Sequence, residues 1–288
     1  MPTSTTPHSP PAATSVLGAL VPVGAAHDDV RRYSRARRNL LPRADHVTAV
    51  TGGWAHEAVL RAGAVVESTL WCPGERPHPE LEATAARVAA TALRAGRISA
   101  RTLARAHPES AGAPALLSVV RLPRWDPAKV LVGGARLVLA ADGIEYAGNL
   151  GTLVRTADAC DVDALVLTRG TARLTHPKVF AASRGTVLTT PVLSFETVAE
   201  AREALVAAGF TAYVADPAGA TPYRTAGLGR GPTAVVVGSE GTGVSDEWRR
   251  GLTRVCIPMR GRADSLNVAA SAAVLLFEAR AALDEAGH

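Results

Sequence analysis

The stretch TAVVVGSEGTGVS, residues 233–245, joins a run of apolar residues to a loop with three glycines. An apolar run without alternation is typical of a strand that is buried on both faces of a parallel sheet. Glycines directly after such a strand let the backbone approach a ligand closely and offer amide donors; a tight structural turn is the alternative. The stretch predicts a parallel α/β sheet with a ligand loop at the carboxyl end of one strand.

The same loop disfavours two common nucleotide-binding classes. Gly238, Gly243 and Ser245 have the spacing of a P-loop, but Val244 occupies the position of its lysine. Without that ammonium group a bound triphosphate loses its main side-chain cation. The GxGxxG fingerprint of Rossmann dehydrogenases is also missing. The sequence is therefore a poor fit to an NTPase or a nicotinamide-dependent dehydrogenase.

Over residues 135–288, predicted strands alternate with predicted helices. Helical segments separate the predicted strands, which are ARLVLAAD, DALVLTRG, TPVLSF, TAYVAD, TAVVVG and RVCIPM, and the chain ends in a long helix, SLNVAASAAVLLFEARAAL. Ligands of a parallel sheet bind at the carboxyl ends of its strands. The loops after Asp142, Gly238 and Met259 are therefore predicted to form the site.

Two of these loops carry residues suited to chemistry. EYAGNLGTLVRTADA contains Asn149, Gly151 and Arg155; its helix is predicted to begin near Gly151, which places Arg155 one turn into it. IPMRGRADSLN places Ser265 and Asn267 where the last helix begins. Ser and Asn at that position are also ordinary helix N-caps, worth about 1 kcal/mol.

In this order and spacing, the three motifs closely resemble those of the SpoU (TrmH) family of RNA ribose 2'-O-methyltransferases, a branch of the SPOUT class. The resemblance covers residues 137–282. It implies a parallel sheet whose C-terminal segment is threaded into a deep trefoil knot, S-adenosylmethionine as cofactor, and a homodimer. The segment VTGGWAHEAVLRAG resembles the start of the family's L30e-like RNA-binding domain. The predicted fold class is α/β, with a small α/β/α L30e-like domain before the knotted SPOUT domain.

The resemblance also implies roles for individual residues. Arg155 matches the family's essential arginine, and we expect it to clamp a phosphate and stabilise a developing alkoxide, because a guanidinium group stays protonated. Asn149 would position the ribose or Arg155, and Glu240 would orient the surrounding loop. The predicted cofactor-binding residues are Gly238, Ser239 (where the family commonly has asparagine), Glu240, Ile257, Met259, Ser265, Leu266 and Asn267. No metal is expected, since methyl transfer from a sulfonium requires none in principle.

The first half of the chain is predicted to bind RNA. Residues 1–27 are rich in Pro, Ser, Thr and Ala and predict a flexible leader, followed by an RNA-binding domain (28–115), a linker (116–134) and the methyltransferase domain (135–288). Residues 30–43 contain six arginines and no acid. They predict either a phosphate-contacting arm, with Tyr33 stacking on a base, or a solvated helix face. The predicted RNA-binding residues are Arg31, Arg32, Arg35, Arg37, Arg38 and Arg184, the last of which could instead cap its helix.

Charge and cysteine content agree with this division. The net charge of +5 splits unevenly: residues 1–134 have 16 Lys and Arg against 10 Asp and Glu, whereas residues 135–288 have 15 against 16. The first half would then hold RNA and the second the cofactor. Three widely spaced cysteines match no disulfide or zinc pattern, which favours a reducing cytoplasm. No apolar run is long enough for a transmembrane helix.

The RNA target is less well determined. The segments ASRG and GSE and the two-domain layout look like the 23S rRNA methyltransferases of antibiotic-producing actinomycetes, with the thiostrepton-resistance type a closer resemblance than the avilamycin-resistance type. We therefore expect 23S rRNA as substrate, with antibiotic resistance as a consequence. A tRNA ribose 2'-O-methyltransferase and a non-catalytic RNA-binding assembly factor are the alternatives, and the target nucleotide is left open.

Overall fold

The chain forms two units, which divide between Arg121 and Leu122 in a computed structural model that describes residues 13–131 and 134–287. None of the helices in those ranges has the length and apolar character needed to cross a membrane.

Over its described residues, the first unit is built on a four-stranded sheet. Its elements are α1 (Ala13–Gly18), α2 (Asp28–Arg37), β1 (Val47–Thr51), α3 (Gly53–Arg61), β2 (Val66–Cys72), α4 (Pro79–Thr91), β3 (Ala95–Arg97), α5 (Ala100–Ala106) and β4 (Ala115–Arg121). The strand order is β1-β4-β2-β3. β4 runs antiparallel to β1 and β2, and β3 pairs with β2 in parallel.

The segment before α2 is structured, which corrects the predicted flexible leader over residues 13–27. α1 packs against α4, and Leu17 is buried. The chain then runs beside β3, where the Val23 amide donates to the Arg97 carbonyl at 2.8 Å and the Arg97 amide donates to the Val21 carbonyl at 2.9 Å. Pro22 lies between these bonds, at a sheet edge where its missing N–H is tolerated. Residues 1–12 of the predicted leader lie outside the described residues.

Helix α4 ends at Thr91, and residues 95–97 form β3. A Cβ at Gly96 would lie 3.1 Å from Val23, so this glycine allows the edge segment to approach. The predicted linker 116–134 starts too early, because its first residues belong to β4, an internal strand of the sheet.

The arginine-rich helix α2 has a buried apolar stripe. Val30, Tyr33 and Ala36 recur every three residues and are buried, as expected for an amphipathic helix. Tyr33 is completely buried, and its hydroxyl oxygen lies 2.7 Å from Thr51 Oγ1. The prediction that Tyr33 stacks on a base is therefore wrong, and the arginines occupy a helix that packs on the core.

Within the part of the chain that the structure describes, the second unit contains a seven-stranded parallel sheet. Its elements are α6 (Pro127–Val130), β5 (Leu137–Asp142), α7 (Ala147–Ala159), β6 (Ala164–Thr168), α8 (Pro177–Ala182), β7 (Val192–Ser194), α9 (Val198–Ala207), β8 (Thr211–Ala215), β9 (Thr221–Pro222), β10 (Thr233–Gly238), α10 (Asp246–Arg249), β11 (Thr253–Cys256) and α11 (Val268–Glu285). The strand order is β7-β6-β5-β10-β8-β11-β9, and all pairs are parallel. The predicted α/β fold with a parallel sheet is confirmed.

The order in which successive strands are added to the sheet reverses next to β5. β6 and β7 extend it on one side, while β10 lies on the other side, between β5 and β8. β5 and β10 are in register, with Gly238 opposite Asp142. The loops that follow these two strands therefore begin side by side, at the kind of switch point where α/β sheets bind ligands.

Helix α7 begins at Ala147, about one turn earlier than predicted, so Arg155 lies more than two turns into it. Gly151 caused the misplacement. A Cβ there would lie 2.6 Å from the Ala182 Cβ and 2.7 Å from the Val179 carbonyl oxygen. This glycine is therefore a packing residue that lets α7 contact α8 closely, and not a helix start.

Candidate active site

Three side chains, one from each motif, form a closed hydrogen-bonded triangle at the carboxyl edge of the sheet. Asn149 Nδ2 donates to Glu240 Oε1 at 2.5 Å. Asn267 Nδ2 donates to the same Glu240 oxygen at 3.1 Å and to Asn149 Oδ1 at 3.2 Å. The structure thus brings together Asn149, Glu240 and Asn267, which are distant in sequence.

Asn267 has two functions through different atoms. Its Oδ1 accepts a hydrogen bond from the Ala269 amide at 3.0 Å, which makes Asn267 the N-cap of α11. Its Nδ2 faces the other two members of the triangle. The cap fixes which end of the amide faces the triangle. The N-cap is observed, and the predicted role of Asn267 in cofactor binding stays a prediction.

The glycine-rich loop closes into a tight turn after β10. The Gly243 amide donates to the Ser239 carbonyl at 2.8 Å, and Ser239 Oγ accepts from the Thr242 amide at 3.3 Å. Asparagine makes the same type of side-chain turn, so Ser239 can replace it without changing the loop. Gly238 has no room for a side chain, because its Cβ would lie 2.1 Å from the Gly243 carbonyl carbon.

Asp142, the last residue of β5, anchors this loop to the sheet. Its buried carboxylate accepts from the Ser245 amide at 2.8 Å and from Arg169 Nε at 2.9 Å and Nη2 at 3.1 Å. Burial raises the pKa of Asp142, but the hydrogen bonds from Arg169 and Ser245 outweigh it and hold that pKa below its ordinary value. Thr168 Oγ1 also donates to Asp142, and it accepts from Trp248 Nε1. Sequence reasoning gave the Asp142 side chain no role; a carboxylate that ends a buried strand was the available signal.

A cleft opens next to the triangle, between the ends of β8 and β10, the segment after β11 and the start of α11. Of the predicted cofactor-binding residues, Gly238, Ser239, Glu240, Ile257, Met259, Ser265 and Leu266 line it, and Asn267 contributes to the triangle. Sequence reasoning missed the other residues in its wall, which are Ala215, Asp216, Pro217, Val237, Gly243, Val255, Asp264, Val268, Ser271 and Leu275. Most of the missed residues are small or apolar and carry no motif.

Asp216 is a buried charge in the cleft wall, directly after β8. Its side chain is 5% exposed, and its Oδ2 accepts from Arg254 Nε at 2.8 Å, with Arg249 Nε at 3.4 Å. Its Oδ1 accepts from the Ala218 amide at 2.9 Å. These bonds fix the segment that follows β8.

Over residues 13–131 and 134–287, no cluster of three His, Cys, Asp or Glu side chains could hold a metal ion, and the expectation that no metal is needed stays a prediction.

Arg155 lies outside the triangle and does not line the cleft. At about 100° per residue, its position on α7 is rotated roughly 120° from that of Asn149. Its side chain is exposed, and among the described residues its guanidinium group has no hydrogen bond or ion pair. It is therefore available to an anion that arrives from solvent.

Two of the predicted RNA-binding arginines of α2 are paired with carboxylates of the first unit. Arg32 Nη1 donates to Asp45 at 2.9 Å, and its Nη2 donates to Glu67 at 2.9 Å. Arg37 Nη1 donates to Glu109 at 3.1 Å. Both guanidinium groups are paired with carboxylates of their own unit, and a contact of either arginine with RNA stays a prediction.

The other predicted arginines are exposed. On α2 they make only local contacts: Arg31 with Asp28 at 2.7 Å, Arg35 with the Leu40 carbonyl at 3.4 Å, and Arg38 with the Ser34 carbonyl at 3.1 Å. Arg184 follows α8 with a left-handed φ of 55°, which agrees with a role in ending that helix. A contact between these arginines and RNA stays a prediction.

The fold and the candidate site together define an α/β domain with a cleft at the carboxyl edge of a parallel sheet. Residues 136–277 match the sequence profile of the SpoU rRNA Methylase family. The chain therefore carries a SpoU methylase domain, and the family resemblance predicted from the three motifs is confirmed.

Individual relatives agree with this assignment. The chain is 35% identical over 147 residues to the 23S rRNA (guanosine(2553)-2'-O)-methyltransferase RlmP of Bacillus subtilis (strain 168). That match spans 51% of this chain and 58% of RlmP, less than two thirds of the relative's length.

Solved structures match over most of the chain. An RNA 2'-O ribose methyltransferase superposes with a TM-score of 0.69 at 28% identity, over 90% of this chain and 97% of the other. An AdoMet-bound rRNA methyltransferase from Sinorhizobium meliloti superposes with a TM-score of 0.77 at 22% identity, over 91% and 98%. At 22% identity, the likeness to the Sinorhizobium meliloti protein shows the fold alone.

Proposed function

We propose that this protein transfers a methyl group from S-adenosylmethionine to the 2'-hydroxyl of a ribose in RNA, with 23S rRNA preferred over tRNA. The observation that carries the proposal is the Asn149–Glu240–Asn267 triangle, where three separate motifs meet beside a cleft. The family match over residues 136–277 and the 23S rRNA activity in the name of RlmP support the reaction and the RNA class.

The cleft suits S-adenosylmethionine. Gly238 lies where a single Cβ would clash with the opposite side of the loop, so a bare backbone forms the wall. Apolar side chains such as Val237 and Leu275 line the cavity together with the carboxylate of Glu240, which favours a ligand that has both an apolar ring and a positive charge. Bound there, the cofactor supplies a methyl group on a sulfonium. The residues that would hold it are Gly238, Ser239, Glu240, Ile257, Met259, Ser265, Leu266 and Asn267.

The triangle and Arg155 perform different tasks in this proposal. Glu240 and Asn267 hold the Asn149 amide in one orientation, so that Asn149 positions the ribose without reorganisation. Arg155 binds a phosphate beside the target ribose and stabilises the alkoxide that develops as the 2'-hydroxyl loses its proton to water. A guanidinium group stays protonated, so Arg155 acts as a cation and not as the base.

The finer features of the fold belong to the same proposal. We assign a trefoil knot to the segments around the cleft; β10 lies between β5 and β8 although it follows β8 in the chain, and residues before and after β11 line one cavity. The first unit is L30e-like, which the four-stranded sheet with its helices supports.

A homodimer would cover apolar residues on one face of α11. Ala270, Val274, Phe277 and Ala281 follow a helical period; Val274 is half-buried, the other three are exposed, and Phe277 is 51% exposed. We expect Phe277→Glu to convert a dimer into a monomer in sedimentation experiments. A monomeric wild-type chain would contradict this part of the proposal.

The substrate is tested by primer extension at low nucleotide concentration on 23S rRNA and tRNA treated with enzyme and cofactor, which locates ribose methylation directly. We expect one new stop on 23S rRNA and none with Arg155→Ala. A stop on tRNA alone would show that tRNA, and not 23S rRNA, is the substrate. The site of action is the cytoplasm, and resistance is tested by whether methylated ribosomes tolerate thiostrepton-type drugs.

The non-catalytic assembly factor is distinguished by calorimetry. An enzyme binds S-adenosylmethionine and methylates RNA. A scaffold that has lost the reaction binds RNA but releases no heat of binding when it is titrated with S-adenosylmethionine. Absence of both cofactor binding and product in several RNAs would contradict the proposed function.

A further inference from the structure

We infer that Arg260 and Arg262 form an RNA-backbone contact on the methyltransferase unit itself, binding phosphates next to the target ribose. This inference rests on the proposed function and adds a substrate contact at two residues of the third motif to which the family resemblance assigned no role. It also changes the division of labour expected from charge, in which RNA binding was assigned to the first half of the chain.

The two arginines lie on the segment that borders the cleft. They follow Met259 and precede Asp264, both of which line the cleft, and they lie between β11 and the N-cap Asn267. The segment therefore runs from the cleft wall to the triangle. A ribose held at the triangle brings its adjacent phosphates to the same edge of the sheet.

Both side chains are exposed, and over residues 13–131 and 134–287 neither guanidinium group makes a hydrogen bond or an ion pair. Two other arginines of this unit are engaged differently. Arg169 is paired with Asp142, and Arg254 with Asp216. An unpaired arginine beside a candidate RNA site is available to replace the counterions of a phosphate.

The position of these side chains favours RNA over the cofactor as their ligand. Neither Arg260 nor Arg262 is part of the cleft lining, although residues on both sides of them are. Their charges therefore lie on the outer side of the segment. A guanidinium group has the donor geometry for a phosphate, and the second unit, which is nearly neutral overall, needs a local cluster of this kind to attract a polyanion.

The test measures RNA binding without turnover. Full-length wild type, the double variant Arg260→Ala/Arg262→Ala and the charge-retaining Arg260→Lys/Arg262→Lys are compared in filter binding to in vitro transcribed 23S rRNA, with S-adenosylhomocysteine present, over a range of KCl concentrations. Arg230→Ala is the matched control. Arg230 is exposed and precedes β10, at the opposite edge of the sheet. S-adenosylmethionine affinity is measured by calorimetry for each variant.

Losing two phosphate contacts should lower the slope of log K against log salt by about 1.4 and weaken binding roughly 25-fold at about 0.1 M salt, since each single-strand contact contributes about 0.7 to the slope. The lysine variant should keep the slope. Arg230→Ala should match wild type, and cofactor affinity should be unchanged in all variants.

Unchanged RNA affinity and slope in the double alanine variant would overturn the inference. So would a large loss of cofactor affinity with intact RNA binding, which would assign the arginines to the cofactor. If the double alanine variant shows the expected decrease in slope but wild type forms no methylated product, the proposed function fails and the RNA contact stands. Absence of salt-dependent RNA binding by wild type would overturn the inference whatever the methylation result.

Discussion

The amide of Asn149 donates to the carboxylate of Glu240 at 2.5 Å, although 91 positions separate the two residues. Asn149 lies in the first turn of α7, and Glu240 lies in the loop after β10. The strands that lead to them, β5 and β10, are neighbours in register. Sheet topology therefore creates the contact, and Asn267 closes it from a third segment.

Glu240 acts as a hydrogen-bond acceptor for two amides, so the shape of its side chain should matter more than its charge. Glu240→Gln keeps an oxygen at that position and should retain most methyl transfer. Glu240→Ala leaves Asn149 and Asn267 without their acceptor and should lower kcat roughly 10- to 100-fold, as removal of a positioning group does. Steady-state kinetics of both variants provide the measurement. Equal activity of the two would show that the acceptor is not needed.

Gly238 should not tolerate a side chain. Gly238→Ala places a Cβ 2.1 Å from the Gly243 carbonyl carbon, so the loop must move, and we expect a loss of about 1–3 kcal/mol in the free energy of unfolding together with weaker cofactor binding. Gly231→Ala is the control, because nothing beyond its chain neighbours lies within 4 Å of the position that a Cβ would take. Denaturant unfolding and calorimetry test both. If Gly238→Ala changed neither the free energy of unfolding nor cofactor binding, the loop would not be closed in this way.

The arginines of α2 should separate into two classes. The triple variant Arg31→Ala/Arg35→Ala/Arg38→Ala keeps a good helix former and should reduce the salt slope of RNA binding by about 2, with little effect on folding. Arg32→Ala removes the partner of Asp45 and Glu67 and should lower thermal stability instead. RNA binding and thermal unfolding are measured on both. Identical effects of the two variants would contradict the distinction.

His56 should make the first unit sensitive to mild acid. The buried ring has its nitrogens 2.7 Å from the Gly52 carbonyl oxygen and 2.8 Å from Ser118 Oγ, and burial lowers its pKa to about 4 from about 6.5. Because the folded state disfavours the proton, stability is highest above pH 6.5 and falls as pH drops from 6.5 towards 4, by about 3 kcal/mol in total. Unfolding free energies from pH 7 to pH 4 test this.

The matched variant is His56→Gln, which cannot titrate. Its stability should vary less with pH over that window than that of wild type. Parallel pH profiles would exclude His56 as the cause. Asp142 acts in a separate window: its pKa is lowered, so its contribution is present above about pH 3.8 and is lost at lower pH.

The sequence was most informative for the second unit. Strands buried on both faces of a parallel sheet have continuous apolar runs, so β5, β6, β8 and β10 could be predicted, and the loops after them could be identified as the site. Asn149, Glu240 and Asn267 were predicted to belong to one site with separate roles. Their hydrogen bonds could not be, because these depend on which strands are neighbours.

Other features could not be predicted because the same local sequence is compatible with more than one structure. Gly151 reads as a helix start but allows close packing on α8. The six arginines around Tyr33 obscure the apolar stripe that buries this tyrosine. Residues 21–23 pair with β3 over a long sequence distance, which composition cannot indicate.

The central claim is that the chain methylates a ribose of RNA and that Arg155 is needed for the reaction. The direct measurement is mass spectrometry of nucleosides from 23S rRNA treated with enzyme and S-adenosylmethionine that carries a deuterated methyl group. Wild type and Arg230→Ala should yield one labelled 2'-O-methylnucleoside, and Arg155→Ala should yield roughly 100-fold less. No labelled nucleoside with wild type, or equal labelling with Arg155→Ala, would contradict the account.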